Sequence, residues 1–151
     1  MPEPARVVDL PDLAATKRLA AALAALARPG DAILLDGPLG AGKTEFARAF
    51  LRALSGDAAL EVPSPSFTLS QTYDTRLGPA HHLDLWRLDG PGALAELGWD
   101  EAVNDLVLVE WPDRLGSLRP ADALCLRLCL GPGETRRARL IGWPDRLGAL
   151  A

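Results

Sequence analysis

The chain has no long apolar run. Its longest Ala/Leu stretch, Leu19 to Ala27, is too short to span a bilayer and is followed by Arg28 and Pro29. The N-terminal MPEPARVVDL has no basic segment leading into an apolar one, so no secretory signal is expected, and the protein reads as cytoplasmic and free of membrane. Cysteine is scarce, with only Cys125 and Cys129 in DALCLRLCLG. On a strand these two share a face but lie ~13 Å apart at ~3.3 Å per residue, too far to bond. No Cys-x-x-Cys pair or histidine partner suggests a metal there. Basic excess is also absent: the net charge is −4, which argues against unaided tight binding to nucleic acid without excluding a local basic patch. Lysine is rarest of the charged residues, with only Lys17 and Lys43 among 16 basic side chains, so a motif that demands lysine is hard to meet by accident.

What remains is a globular composition. With 151 residues, 48% of them hydrophobic and 24% charged, one domain can bury a real core without disulfides or structural metal. The reading is a single domain over residues 1–142 followed by a tail, 143–151. ARVV (5–8) predicts a short strand, and Asp9 to Asp12 carry turn and cap chemistry. Leu13 to Arg28 has helical spacing, and Pro29-Gly30-Asp31 ends it. AILLD (32–36) is the continuous apolar run of a buried parallel strand. After a glycine-rich turn comes a second helix with Phe46, Phe50, Leu51 and Leu54 on one side. FTLSQTY (67–73) and AHHLDLWRL (80–88) predict an antiparallel hairpin, residues 91–104 short helical turns, and LVLV (106–109) another buried strand ending at Glu110. DALCLRLCLG and TRRARLIGW flank a second turn, with Leu124, Leu126, Leu128 and Leu130 expected on the core. The class is α/β.

GPLGAGKT (37–44) fits the phosphate-loop pattern G-x-x-x-x-G-K-[ST], in the strand-loop-helix context it requires. Gly37, Gly40 and Gly42 allow backbone N–H groups to converge on phosphate oxygens, and the following helix offers unpaired N–H groups and its positive dipole end. Leu39, Ala41 and Glu45 contribute backbone to the same cradle. Lys43 is expected to reach the β- and γ-phosphates, and Thr44 to offer its hydroxyl to Mg²⁺. Such a site also needs an acidic group at the end of a neighbouring strand. Glu110 and Asp84 are both candidates: Glu110 has the better spacing, and Asp84 could equally be a solvent-facing strand residue. His81 and His82, adjacent on a strand, face opposite ways and cannot jointly chelate one metal; a structural role fits both better than catalysis.

The segments LDGPLGAGKTEFARAFLRAL, PSPSFTLSQTY, HHLDLWRL, ELGWDE and LVLVEWPDRLG occur in an order that resembles the bacterial TsaE family, the small ATPases of tRNA threonylcarbamoyladenosine (t6A) biosynthesis. The resemblance runs from about Val7 to Leu140. It implies a three-layer P-loop NTPase fold with a mostly parallel central sheet and added antiparallel hairpins. It further implies ATP and Mg²⁺ as ligands, weak intrinsic hydrolysis, and docking on a TsaB–TsaD complex that acts on tRNA, which this chain would meet only indirectly. Carried over by position, Lys43 and Thr44 bind phosphate and metal. Ser66 and Thr68 lie near the γ-phosphate, Thr68 with a catalytic role. Asp84 and Glu110 serve the metal and the attacking water, and Trp111 lies beside the nucleotide. The chain departs from the family at Glu45, where a Thr or Ser is usual, at Ser66 for Thr, and at Trp86 for Tyr.

Two other readings differ in class. A small-metabolite kinase would need an arginine-bearing lid, and none stands between Gly56 and Gly98. A nucleotide-gated binding module would hydrolyse ATP only incidentally. A GTPase is disfavoured because no [NT]-K-x-D motif is present. Finally, WPDRLG occurs twice, at 111–116 and 143–148. The first copy follows LVLVE and is expected to matter. The second sits near the chain end and is expected to be dispensable.

Overall fold

The computed structural model describes residues 6–65, 69–88 and 91–150. Strand β1 (Arg6–Leu10) leads into helix α1 (Leu13–Leu26), β2 (Ala32–Asp36) and α2 (Lys43–Ser55). The hairpin β3 (Ser70–Thr75) and β4 (Gly78–Asp84) follows, then a 3₁₀ turn (Pro91–Leu97), the one-turn α3 (Trp99–Ala102) and β5 (Leu106–Glu110). A second 3₁₀ segment (Pro112–Leu118), β6 (Leu124–Leu130), β7 (Arg136–Ile141) and a last 3₁₀ turn (Leu147–Ala149) complete the chain.

The strands form one mixed sheet in the order β1-β7-β6-β2-β5-β4-β3. Its centre, β6-β2-β5-β4, is parallel throughout, and antiparallel pairs extend both edges. The central strands carry apolar side chains on both faces because both faces are covered. Ile33, Leu35, Leu108, Leu124 and Leu126 pack beneath α1 and α2 with Leu23, Phe46 and Phe50. Leu34, Leu83, Val107 and Val109 meet Leu94, Trp99 and Leu115 on the other side, where the described residues form short helical turns. That asymmetry follows from sequence: the amphipathic runs 13–26 and 43–55 are long enough to shield a sheet, whereas residues 91–118 are cut by glycine and proline.

Local chemistry sets the element ends. Asp12 caps α1 by accepting from the Ala15 amide at 2.9 Å, and α2 stops at the left-handed Gly56. In three places the structure departs from expectation. The predicted strand 67–73 is interrupted at Leu69, held in a left-handed conformation (φ 65°) with its amide on the Pro65 carbonyl, so the described strand is Ser70–Thr75; Phe67 and Thr68 lie outside the described residues. Leu130 is 54% exposed: it ends the β6–β7 hairpin beyond the helices, so the core face stops at Leu128. Residues 143–150 are docked rather than a loose tail. Trp143 is only 4% exposed, Leu147 is buried in the main core, and Arg6 donates to the Leu147 and Leu150 carbonyls at 3.0 and 2.7 Å.

Candidate functional site

The carboxyl ends of β2, β4 and β5 meet the amino end of α2 at an open cleft of about 300 Å³. It is lined by Lys43, Thr44, Asp84, Glu110 and Trp111, with Leu39, Gly40, Gly42, Glu45 and Ser64 around them. A crevice outside the carboxyl ends of parallel strands is where open α/β sheets bind ligands. The loop that leaves β2 is shaped by glycine. At Gly37 (φ 141°) a Cβ would sit 2.5 Å from the Leu128 carbonyl oxygen, so no other residue fits against β6. Gly40 and Gly42 turn through φ 79° and 102°, and a Cβ on either would project into open space. The loop is tied down from both sides, as the Gly37 amide donates to Asp36 Oδ1 at 2.9 Å and Arg136 on β7 donates to the Gly40 carbonyl at 3.3 Å. Gly42 then caps α2 with no side chain across its N–H groups.

Lys43 opens α2 and is 5% exposed. Its ammonium donates to the Gly37 carbonyl at 2.5 Å and lies 3.4 Å from the centre of the Trp111 ring. Burial lowers its pKa from the ordinary lysine value, while Glu110, then Asp84, Asp36 and Asp113, act in the opposite sense. Among the described residues no carboxylate lies within ion-pairing distance of it. Thr44, one residue on, donates its hydroxyl to both Glu110 oxygens at 3.1 Å.

The two candidate acids stand side by side. The β4–β5 register pairs Asp84 directly with Glu110, each the last residue of its strand. Asp84 is 4% exposed, which removes the solvent-facing alternative. Its carboxylate accepts from the Trp86 amide at 3.0 Å. Trp86 places its indole against Trp111 with ring centres 4.4 Å apart. Trp111 itself adopts a left-handed backbone (φ 59°, ψ 57°), an unfavourable conformation for a bulky residue that is held here by packing. Glu45 pairs with Arg48, one helical turn along. Ser66 and Thr68 lie outside the described residues.

His82, expected in a structural role, stands in this site. His82, fully buried on β4, donates from Nε2 to Glu110 Oε2 at 2.6 Å. The signal was present: residues 82 and 84 share a strand face, so a buried Asp84 brings His82 beneath it. His81, facing the other way, joins Asp105 at 2.9 Å and Thr72 at 3.1 Å, a structural position as expected.

Among the described residues no three His, Cys, Asp or Glu side chains form a cage for an ion. The donor set of the cleft is instead two carboxylates and a hydroxyl on one side, with an ammonium and a row of amides on the other. It can therefore accept a cation and an anion together.

Fold and site define a mixed α/β protein with a glycine-loop cleft at the carboxyl edge of its parallel strands. Residues 10–141 match the family model described as "Threonylcarbamoyl adenosine biosynthesis protein TsaE". The chain belongs to the TsaE family. A protein of Rickettsia bellii, named tRNA threonylcarbamoyladenosine biosynthesis protein TsaE, is 39% identical over 122 residues, covering 80% of this chain and 84% of that one. Its namesake in Rickettsia felis is 44% identical over 99 residues, covering 65% of this chain but only 57% of the relative's length. A crystal structure of Bacillus subtilis YdiB superposes with a TM-score of 0.79 at 29% identity, covering 97% of this chain and 90% of that one.

Proposed function

We propose that this protein binds ATP with Mg²⁺ in the cleft, hydrolyses it weakly alone, and supports a TsaB–TsaD-type complex in the threonylcarbamoyl modification of tRNA adenosine. The observation that carries the reading is the convergence of Lys43, Thr44, Asp84 and Glu110 beneath the uncapped amino end of α2. Mg²⁺ is held in nucleotide sites by one or two carboxylates together with substrate phosphates, not by an all-protein cage, and the open donor set suits that habit. Bound MgATP would supply a phosphoanhydride open to attack by water.

The chain's own residues divide the work. The amides of the 37–42 loop and of the first turn of α2 receive phosphate oxygens. Lys43 supplies positive charge in a setting where burial has stripped water from it. Thr44 and Asp84 hold the metal side, and Glu110 accepts a proton or orients water. Trp111 walls the cleft. Among the described residues no arginine lines the cleft to neutralise transition-state charge, so the missing cation is assigned to the partner complex.

Calorimetric titration of ATP, with and without Mg²⁺, tests the reading. Lys43→Ala should weaken binding about 10- to 100-fold, the worth of a charge-assisted contact. Thr44→Ala should lose chiefly the Mg²⁺-dependent part. ATP turnover with and without the partner complex tests activation, and phosphate transfer to a small acceptor instead of water would point to a kinase.

A further inference from the structure

Glu110 lies between two competitors for its carboxylate. On one side His82 and Thr44 hydrogen-bond it. On the other, Lys43 is the buried cation whose charge Glu110 affects more than any other carboxylate does. A buried lysine beside a buried glutamate would ordinarily close into an ion pair, because the low local dielectric makes the attraction large. Here it does not: Lys43 turns to the Gly37 carbonyl and the face of Trp111. The residue that holds Glu110 back must be fixed, buried and a donor.

His82 meets each condition. It is fully buried, it is fixed by the β4 backbone at the register position opposite Leu108, and its Nε2–H makes the shortest contact on the carboxylate. Its other nitrogen, Nδ1, is buried with no partner among the described residues. A buried acceptor left unpaired costs stability, and a leucine here would avoid that cost. The imidazole is thus poorly explained as packing and well explained by what Nε2 does.

We infer that His82 is a positioning residue: it holds the Glu110 carboxylate on the Thr44 hydroxyl and off Lys43, so that the ammonium stays available for phosphate. The inference rests on the nucleotide reading above. It assigns the histidine no contact with ligand and no part in proton transfer.

The test compares His82→Leu, His82→Gln and the double variant His82→Leu/Glu110→Gln by calorimetry with ATP in the absence of Mg²⁺. Loss of the imidazole should let Glu110 capture Lys43, and ATP affinity should fall about tenfold or more, as when an orienting partner is removed from a ligand. Glutamine, whose amide can stand in for Nε2–H, should stay near wild type. In the double variant the carboxylate that His82 restrains is gone, so affinity should match that of Glu110→Gln alone. A purely structural role would not be rescued by changing Glu110. Wild-type affinity in His82→Leu, or no recovery in the double variant, overturns the inference. Should His82→Leu fail to fold, the Nε2–H proton resonance of His82 in the nucleotide-free wild-type protein replaces it. That signal should move on Glu110→Gln, and an unmoved signal overturns the inference. If wild-type protein itself binds no ATP, it is the nucleotide reading that fails, and the resonance still reports on the pair.

Discussion

The hexapeptide WPDRLG appears twice with the same opening turn and two different neighbourhoods. In both copies the tryptophan is left-handed (φ 59° at Trp111, 48° at Trp143), and the arginine amide returns to the tryptophan carbonyl, at 3.2 and 2.9 Å. The leucine is buried in both, and a cation faces each indole, Lys43 at 3.4 Å and Arg146 at 4.0 Å. The turn at the tryptophan is therefore a property of the hexapeptide, while the backbone diverges at its glycine, left-handed at Gly116 (φ 54°) and not at Gly148. The role is a property of the strand before them. β5 is parallel to β2, so its end lies at the cleft. β7 is antiparallel to β6, which is itself parallel to β2, so its end lies at the opposite edge of the sheet, where Arg146 forks onto Asp31 at 2.7 and 2.9 Å.

The largest expected difference concerns the residue before each copy. Glu110→Gln should leave ATP binding in place and lower partner-stimulated turnover about 10²- to 10⁴-fold, the usual worth of an acid–base group. No carboxylate can be placed at the equivalent Gly142, whose φ is 120° and whose Cβ would lie 2.5 Å from the Ala123 carbonyl oxygen. Steady-state turnover checks the first statement, and poor folding of Gly142→Glu checks the second.

Next come the tryptophans. Trp143→Ala should cost about 3–5 kcal/mol of stability, as for a large aromatic removed from a core, with little change in ATP affinity of the folded protein. Trp111→Ala should do the reverse, with a smaller loss of stability and ATP binding weaker by about 2- to 30-fold, the range of a cation–π contact. Chemical denaturation paired with calorimetry separates them. Deleting 143–151 should behave as Trp143→Ala or worse, and harmless deletion would show that the second copy is not structural.

Arg146→Ala should cost about 2 kcal/mol, since the pair with Asp31 is mostly but not wholly buried and part of its strength is screened. The arginine of the first copy forms no such fork among the described residues, so Arg114→Ala should cost less in the same denaturation series.

The smallest effect is a pH dependence confined to the first copy, since lysine titrates in an accessible range and arginine does not. The Lys43 pKa is lowered by burial, so between that value and the ordinary 10.5 the unfolded chain binds more protons than the folded one. Stability of the nucleotide-free protein should therefore rise across that window, and Lys43→Met should abolish the rise. Denaturation midpoints measured from neutral pH to pH 10.5 would show it.

These contrasts also mark where sequence was legible. The glycine loop, the strand before it and the helix after it could be read directly, because all three are local and their residue types are dictated by backbone geometry. That Asp84 and Glu110 form a pair could not: they meet only through the β4–β5 register, and no pattern in either strand announces it. The partner of His82 is hidden for the same reason, lying 28 residues away. The second WPDRLG was expected to be dispensable because its position in the tail outweighed a tryptophan and two leucines that need cover.

One further consequence follows from β1 pairing with β7. Arg6 faces Leu140 in that ladder, so the first strand of the sheet closes only against the last. A ribosome delivers β2, the glycine loop and α2 long before β7 leaves the exit tunnel, and β1 waits unpaired throughout. The cleft's loop is braced by Arg136 on that same late strand. Maturation of the site is thereby coupled to the synthesis of β7, and contacts so distant along the chain slow the closure of this edge.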